Sequence, residues 1–165
     1  MPGSLNPRTV KFAKLLLALC VGSILAAPAV RAQREKLPPE DLEYVQKTFP
    51  EAKKTNTGIR YIIMREGQGA MPKPGEKVAV LYVLRLLDGK LIDQTDDRQN
   101  PFTFRLRRDE VIVAWDEVLQ LMKVGERRLI IVPSELAYGT RGQPPKIGRN
   151  ATLIFEIDLL DIRKD

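Results

Sequence analysis

From Gly58 onward the apolar residues recur mostly at every second position, in short runs separated by glycine, proline and aspartate. That period predicts strands. "IRYIIMREG" is one, and "VAVLYVLRLLDGKLIDQ" is a hairpin with Asp88-Gly89 as its turn. "PFTFRL" and "ERRLIIVP" are two more, and "ATLIFEIDLLDI" is the last, with Leu153, Phe155, Ile157 and Leu159 on one face. Along 77–87, Val78, Val80, Tyr82, Leu84 and Leu86 point one way, while Ala79, Leu81, Val83 and Leu87 point the other. The second set is too apolar for a freely solvated face, so a helix or a second subunit is expected over it.

The period changes in two places. Trp115, Val118, Leu119 and Met122 recur at helical spacing, with Asp116 and Glu117 in the first turn and Lys123 and Gly125 at the end. "PPEDLEYVQKTFP", Pro38 to Pro50, opens and closes on proline and carries Leu42, Val45 and Phe49 as a modest apolar stripe. "AKKTNTG", Ala52 to Gly58, then reads as a polar linker, with the N-terminal helix as an arm. Strands without alternating helices argue against a parallel sheet. The expected fold is α+β: one twisted antiparallel sheet wrapped around one short helix, with a short N-terminal helical arm.

The first 32 residues have a different character. Arg8, Lys11 and Lys14 precede the apolar run "LLLALCVGSILAA", and Val30-Arg31-Ala32 offers small residues at cleavage spacing. Pro28 and Arg31 cut the run short of the roughly 20 apolar residues a bilayer needs. A removed export signal is expected at 1–32, then a helix and linker at 33–57 and one domain at 58–165, in an exported, periplasmic or secreted protein with no stable membrane insertion after cleavage.

Charge and composition change sides once that segment is removed. The chain has 27 basic and 21 acidic residues, and taking away Arg8, Lys11, Lys14 and Arg31 leaves 23 against 21, a net of +2. Neither that surplus nor any basic stripe argues for nucleic acid. Cys20 is the only cysteine and there is no histidine, which excludes most nucleophile–base arrangements and leaves no basis for a metal site. "GQG" and "GTRG" lack a strand-to-helix context and read as turns, not phosphate loops.

Three stretches carry the chemistry: "VAVLYVLRLLDGKLIDQTDDRQNPFTF", "EVIVAWDEVLQLMKVGERRLIIVP" and "ELAYGTRGQPPKIGRNATLIFEIDLLDI". In that order and spacing the chain resembles the FKBP-type peptidyl-prolyl cis–trans isomerases over about residues 58–162. The resemblance implies a pocket between helix and sheet, with Trp115 as its floor and Tyr82, Phe102, Val111 and Phe155 as apolar walls. It implies that the Ile112 backbone N–H and the Tyr138 hydroxyl donate to substrate carbonyls. Asp93 falls at the polar edge, oriented by Tyr82 and Arg98, and Ile92, Lys146 and Ile147 are carried over as substrate-binding. The implied partners are proline-containing polypeptides and macrolide-type inhibitors, and no cofactor is implied.

The chain departs from the family pattern at Ile92, where an aromatic wall is usual, at Lys146, often apolar, at Gln143, often histidine, at Leu81 and Val83, usually more polar, and at Ala114, commonly glycine. Two functions therefore stand: a prolyl isomerase, or a binding and chaperone module on the same fold with little isomerase activity. The leader makes a separate prediction. N-terminal sequencing of the exported protein should begin near Gln33; a chain still starting at Met1 and recovered from the cytoplasm would contradict the export reading.

Overall fold

The structure, a computed structural model, describes residues 34–163, so the expected export signal at 1–32 lies outside the described residues. The strands are β1 (Lys53–Lys54), β2 (Arg60–Arg65), β3 (Lys77–Leu86), β4 (Leu91–Thr95), β5 (Phe102–Arg105), β6 (Arg127–Val132) and β7 (Leu153–Arg163). They form one antiparallel sheet in the order β1-β2-β6-β7-β3-β4, and β5 shares the outer edge of β3 with β4. The central ladder runs from Lys77↔Arg163 to Leu86↔Leu153. Its alternation is the one the sequence predicts, with Leu153, Phe155, Ile157 and Leu159 of β7 all buried on the concave face. The Asp88-Gly89 turn joins β3 to β4, with Gly89 at a positive φ of 85°.

Under that face lies helix α2, Val113–Val118, continued by a 3-10 turn at Leu119–Leu121. Trp115, Val118, Leu119 and Met122 are the buried stripe. The helical run is short because Met122 is already extended and Lys123–Glu126 makes a tight turn. Gly67 passes so close to that turn that a Cβ there would lie 2.6 Å from the Lys123 carbonyl oxygen, which only glycine allows.

A buried ion pair fixes the end of this unit to the sheet. Arg128 donates through Nε and Nη2 to Glu126 Oε1, each at 2.6 Å, and Nη2 also donates to the Leu121 carbonyl at 3.0 Å. Glu126 Oε2 accepts the Lys123 N–H at 3.1 Å, and the Arg128 guanidinium lies 4.8 Å from the Tyr61 ring centroid. Both charges are buried and both are satisfied, the condition under which such a pair is tolerated; removing one partner typically costs about 3–5 kcal/mol.

Helix α1, Pro39–Thr48, is docked on the convex face and is no free arm. Val45 and Leu37 pack with Ile131 and Ile154, joined by Leu42, Phe49, Leu87 and Leu129. The helix thus covers the β6–β7 part of the outer face and reaches Leu87, while Leu81 and Val83 stay half-buried beside Arg127, Glu156 and Asp158. The linker is not wholly irregular either, since Lys53 and Lys54 pair with Tyr61 and Arg60. Periodicity cannot detect a strand of two lysines.

Polar contacts pin the segment before α1. Glu35 accepts from Arg60 Nη1 and Nη2 at 3.1 and 2.9 Å, from Lys54 at 3.0 Å, and from the backbone N–H groups of Lys36 and Leu37 at 3.0 Å each. Thr152 adds a hydroxyl bond to Asp41 at 2.6 Å. The Arg60 hydrogen bonds hold the Glu35 carboxyl well below the usual carboxylate range, against the opposing effect of burial. A depressed folded-state pKa means the unfolded chain binds the proton more readily. The stabilisation is therefore complete above the ordinary value near 4.5 and is lost as pH falls below it. Glu35→Gln should lower stability at pH 7, and its difference from the parent in urea denaturation should shrink steadily from pH 6 towards pH 2. A difference independent of pH would remove the Glu35 charge from the account.

Candidate active site

Four strands and two loops bring the site together. On β3, Tyr82 and Leu84 face inward; β4 sets Asp93 opposite Leu84, β7 sets Phe155 opposite Leu84 on the other side, and β5 sets Phe102 opposite Val80. Val111 and Ile112 lead into α2, and Tyr138 follows a 3-10 turn at Ser134–Leu136. The approach to α2 is braced. Arg107 and Asp109 take positive φ values of 58° and 57°, a conformation that L side chains seldom adopt. The Arg107 N–H donates to the buried Asp116 carboxylate at 2.7 Å, and the Arg105 N–H to Glu110 at 3.1 Å.

The result is a cup of about 160 Å³ lined by Tyr82, Leu84, Asp93, Phe102, Glu110, Val111, Ile112, Trp115, Tyr138 and Phe155. A volume near 150 Å³ takes a benzene-sized ring. Trp115 is its centre, 4% exposed. The rings of Tyr82, Phe155 and Phe102 stand edge-on to the indole at 5.1, 5.5 and 6.0 Å, and Phe104 lies tilted at 5.7 Å beneath the rim. Edge-to-face arrangements of this kind contribute about 0.5–1.5 kcal/mol each beyond buried area. Among the described residues, Trp115 Nε1 is a buried side-chain nitrogen with no hydrogen-bond partner. The aromatic faces around it offer only weak acceptors.

The polar edge is ordered. The Tyr82 hydroxyl donates to Asp93 Oδ2 at 2.6 Å, and the Gln94 N–H donates to Oδ1 at 2.9 Å. Burial, then the hydrogen bond and charge of Asp93, push the Tyr82 phenol far above its ordinary value near 10. Burial and the Asp93 charge push Tyr138 up as well. Both phenols therefore stay protonated donors in any physiological medium. Ile112 caps α2 with its carbonyl, accepting the Trp115 N–H at 3.0 Å, while neither its own N–H nor the Tyr138 hydroxyl has a partner among the described residues. Neither phenol can serve as a base near neutral pH, and the two carboxylates at the rim, Asp93 and Glu110, already accept hydrogen bonds from Tyr82, Gln94 and Arg105. What remains is an apolar ring-sized floor with two donors at its edge.

All eight residues expected to form the pocket are in the cup, and Leu84 and Glu110 join them. Leu84 was visible as the inward residue two after Tyr82; Glu110 had no signal except its place beside Val111. The other three expected residues are elsewhere. Ile92 and Lys146 line a neighbouring groove of about 380 Å³ with Leu84, Asp93, Tyr138, Gln143, Pro144 and Pro145. Ile147 is buried in the core at 1% exposure, and lines neither space, because its bridge to Gln143 turns it inward. Arg98, expected to orient Asp93, makes no hydrogen bond to it among the described residues and lies on the exposed loop after β4. The described residues contain no cluster of three or more His, Cys, Asp or Glu able to hold a metal ion.

The model of the family described as FKBP-type peptidyl-prolyl cis-trans isomerase matches residues 68–160. The chain is 46% identical over 111 residues to the human peptidyl-prolyl cis-trans isomerase FKBP4, covering 67% of this chain and 24% of that protein. It is 35% identical over 139 residues to the FKBP-type 22 kDa peptidyl-prolyl cis-trans isomerase of Escherichia coli, covering 82% and 66%. Among solved structures, a peptidyl-prolyl cis-trans isomerase of Pseudomonas syringae pv. tomato superposes with a TM-score of 0.66 at 33% identity, over 79% of this chain and 100% of that one. The chain thus spans about a quarter of the human relative's length.

Ile92 provides a test of the groove assignment. It is 8% exposed and packed in the core cluster, so Ile92→Phe should overpack, costing about 1–3 kcal/mol in denaturant stability. A variant as stable as the parent would mean that the larger ring finds open space in the groove and that Ile92 is not fixed by core packing.

Proposed function

The chain belongs to the FKBP-type peptidyl-prolyl cis–trans isomerase family, and from that premise we propose that it accelerates X–Pro isomerisation in exported polypeptides by binding the twisted peptide bond in a dry aromatic cup. The observation that carries this reading is the floor: one buried indole walled by three edge-on rings, in a cavity the size of a small ring. Resonance sets a barrier of roughly 18–20 kcal/mol to rotation about a peptide bond, and X–Pro bonds exchange in tens to hundreds of seconds. At the twisted geometry the amide loses that resonance and much of its dipole. An apolar enclosure therefore disfavours the planar states more than the twisted one, and this difference in binding is the catalysis. Trp115 supports the prolyl ring; the Ile112 N–H and the Tyr138 hydroxyl hold the flanking carbonyls. Asp93 fixes the Tyr82 ring as a wall through the 2.6 Å bond.

The alternative, a binding module with little isomerase activity, drew on Ile92 and Lys146. Both lie in the groove and outside the cup, which supports the enzyme reading. The setting is proposed to be extracytoplasmic. The substrates are proline-containing segments of unfolded or folding proteins, and macrolide-type inhibitors would compete for the same cup. No helix among the described residues is long and apolar enough to cross a membrane.

The proposal is tested in a proline-limited refolding assay. Trp115→Ala should lose at least about tenfold in rate, equivalent to roughly 1.4 kcal/mol. Truncating a buried aromatic also costs about 3–5 kcal/mol of stability, so rates are compared at matched folded fraction. Trp115→Phe, which keeps a flat ring on the floor, should retain more activity than Trp115→Ala. A folded Trp115→Ala protein with the parent's rate would remove Trp115 from the site.

A further inference from the structure

We propose that Lys146 makes the groove beside the cup a subsite for a carboxylate, so that acidic residues next to the proline are preferred; this rests on the isomerase reading of the cup. Cup and groove are continuous, because Leu84, Asp93 and Tyr138 line both. A polypeptide with its proline in the cup therefore carries an adjacent residue across the groove. Lys146 Nζ donates to the Ile92 carbonyl at 3.3 Å, which positions the ammonium on the groove wall. An ammonium has three N–H donors, and this bond uses one. No ion pair to Lys146 exists among the described residues, and its side chain is exposed.

One opposing charge borders the groove, and it is held on the side shared with the cup. Asp93 is the carboxylate lining the groove, and its two oxygens already accept the Tyr82 hydroxyl and the Gln94 N–H. Glu110 lines the cup but not the groove, and accepts the Arg105 N–H. From Ala137 to Phe155 the chain carries Arg141, Lys146 and Arg149 and no acidic residue. On the loop side of the groove the charged lining residue is Lys146, opposite the side that carries Asp93. An incoming glutamate finds an unpaired ammonium there, while an incoming lysine finds a like charge.

An exposed pair of this kind changes affinity by about two- to fivefold. The test uses peptides with Glu, Gln or Lys placed either immediately before or immediately after the proline. Protease-free isomerisation gives kcat/KM, and the fluorescence of Trp115, the only tryptophan, gives Kd for the same peptides. In one of the two placements the parent should favour Glu over Gln by about two- to fivefold, and the ratio should collapse towards unity in 1 M salt, where the screening length is about 3 Å. Lys146→Gln should abolish the ratio, Lys146→Glu should invert it in favour of Lys, and Lys146→Arg should keep it. A merely structural clip between Lys146 and Ile92 would lower all rates together and leave the ratios unchanged, and that result would overturn the proposal. If no peptide is isomerised by the folded protein, the isomerase reading fails; a Glu-over-Gln ratio in Kd that depends on Lys146 would still support the subsite, and its absence would reject it.

Discussion

The packing of one indole against the concave face of the sheet is the contact on which the rest depends. Trp115 sits on a helix of six residues, too short to be stable by itself. Its position is therefore set by its two ends. Before it, the Asp116 carboxylate takes the Arg107 N–H and holds a loop with two left-handed residues. After it, the Glu126–Arg128 pair ties the end of the 3-10 turn to β6. Between these anchors the indole completes the hydrophobic core with one side and floors the cup with the other. The same side chain belongs to the core and to the cup, so on the proposed reading a change at Trp115 alters stability together with function.

That economy explains how a chain with no histidine can be read as an enzyme. A bond rotation moves no proton, and its barrier is electronic: the loss of amide resonance. In the proposed mechanism the features that favour the twisted state are passive ones, namely exclusion of water, a rigid apolar floor and donors that keep their protons. The raised phenols of Tyr82 and Tyr138 fit that role, since neither ionises near neutral pH. The Tyr82–Asp93 bond spends a strong interaction on positioning a wall.

Much of this was legible beforehand, for reasons that differ by residue. β7 announced its buried face because a period-two strand in an antiparallel sheet has one core side, and Phe155 follows from it. The outer apolar set of β3 announced a cover, and α1 supplies part of it through Leu87. Resemblance to the family pointed to eight of the ten cup residues, because their spacing is bound to strand register, and left out Leu84 and Glu110. It did not separate cup from groove at Ile92 and Lys146, nor groove from core at Ile147. Those three depend on the path of β4 and of the loop from Tyr138 to Asn150, which has no periodicity to read. The Lys53–Lys54 strand was equally silent, being made by the docking of Glu35 on Arg60 and Lys54 and not by any propensity of lysine.

The central claim is that the cup accelerates rotation without moving a proton. Magnetisation-exchange NMR on an X–Pro peptide, with the protein at catalytic concentration in H₂O and again in D₂O, measures both halves of it. The account predicts cis–trans exchange much faster than the uncatalysed tens to hundreds of seconds, and the same acceleration in the two solvents. Exchange left at the uncatalysed rate by a folded protein would contradict the claim, and so would acceleration that falls about twofold or more in D₂O, since that would place a proton transfer in the rate-limiting step.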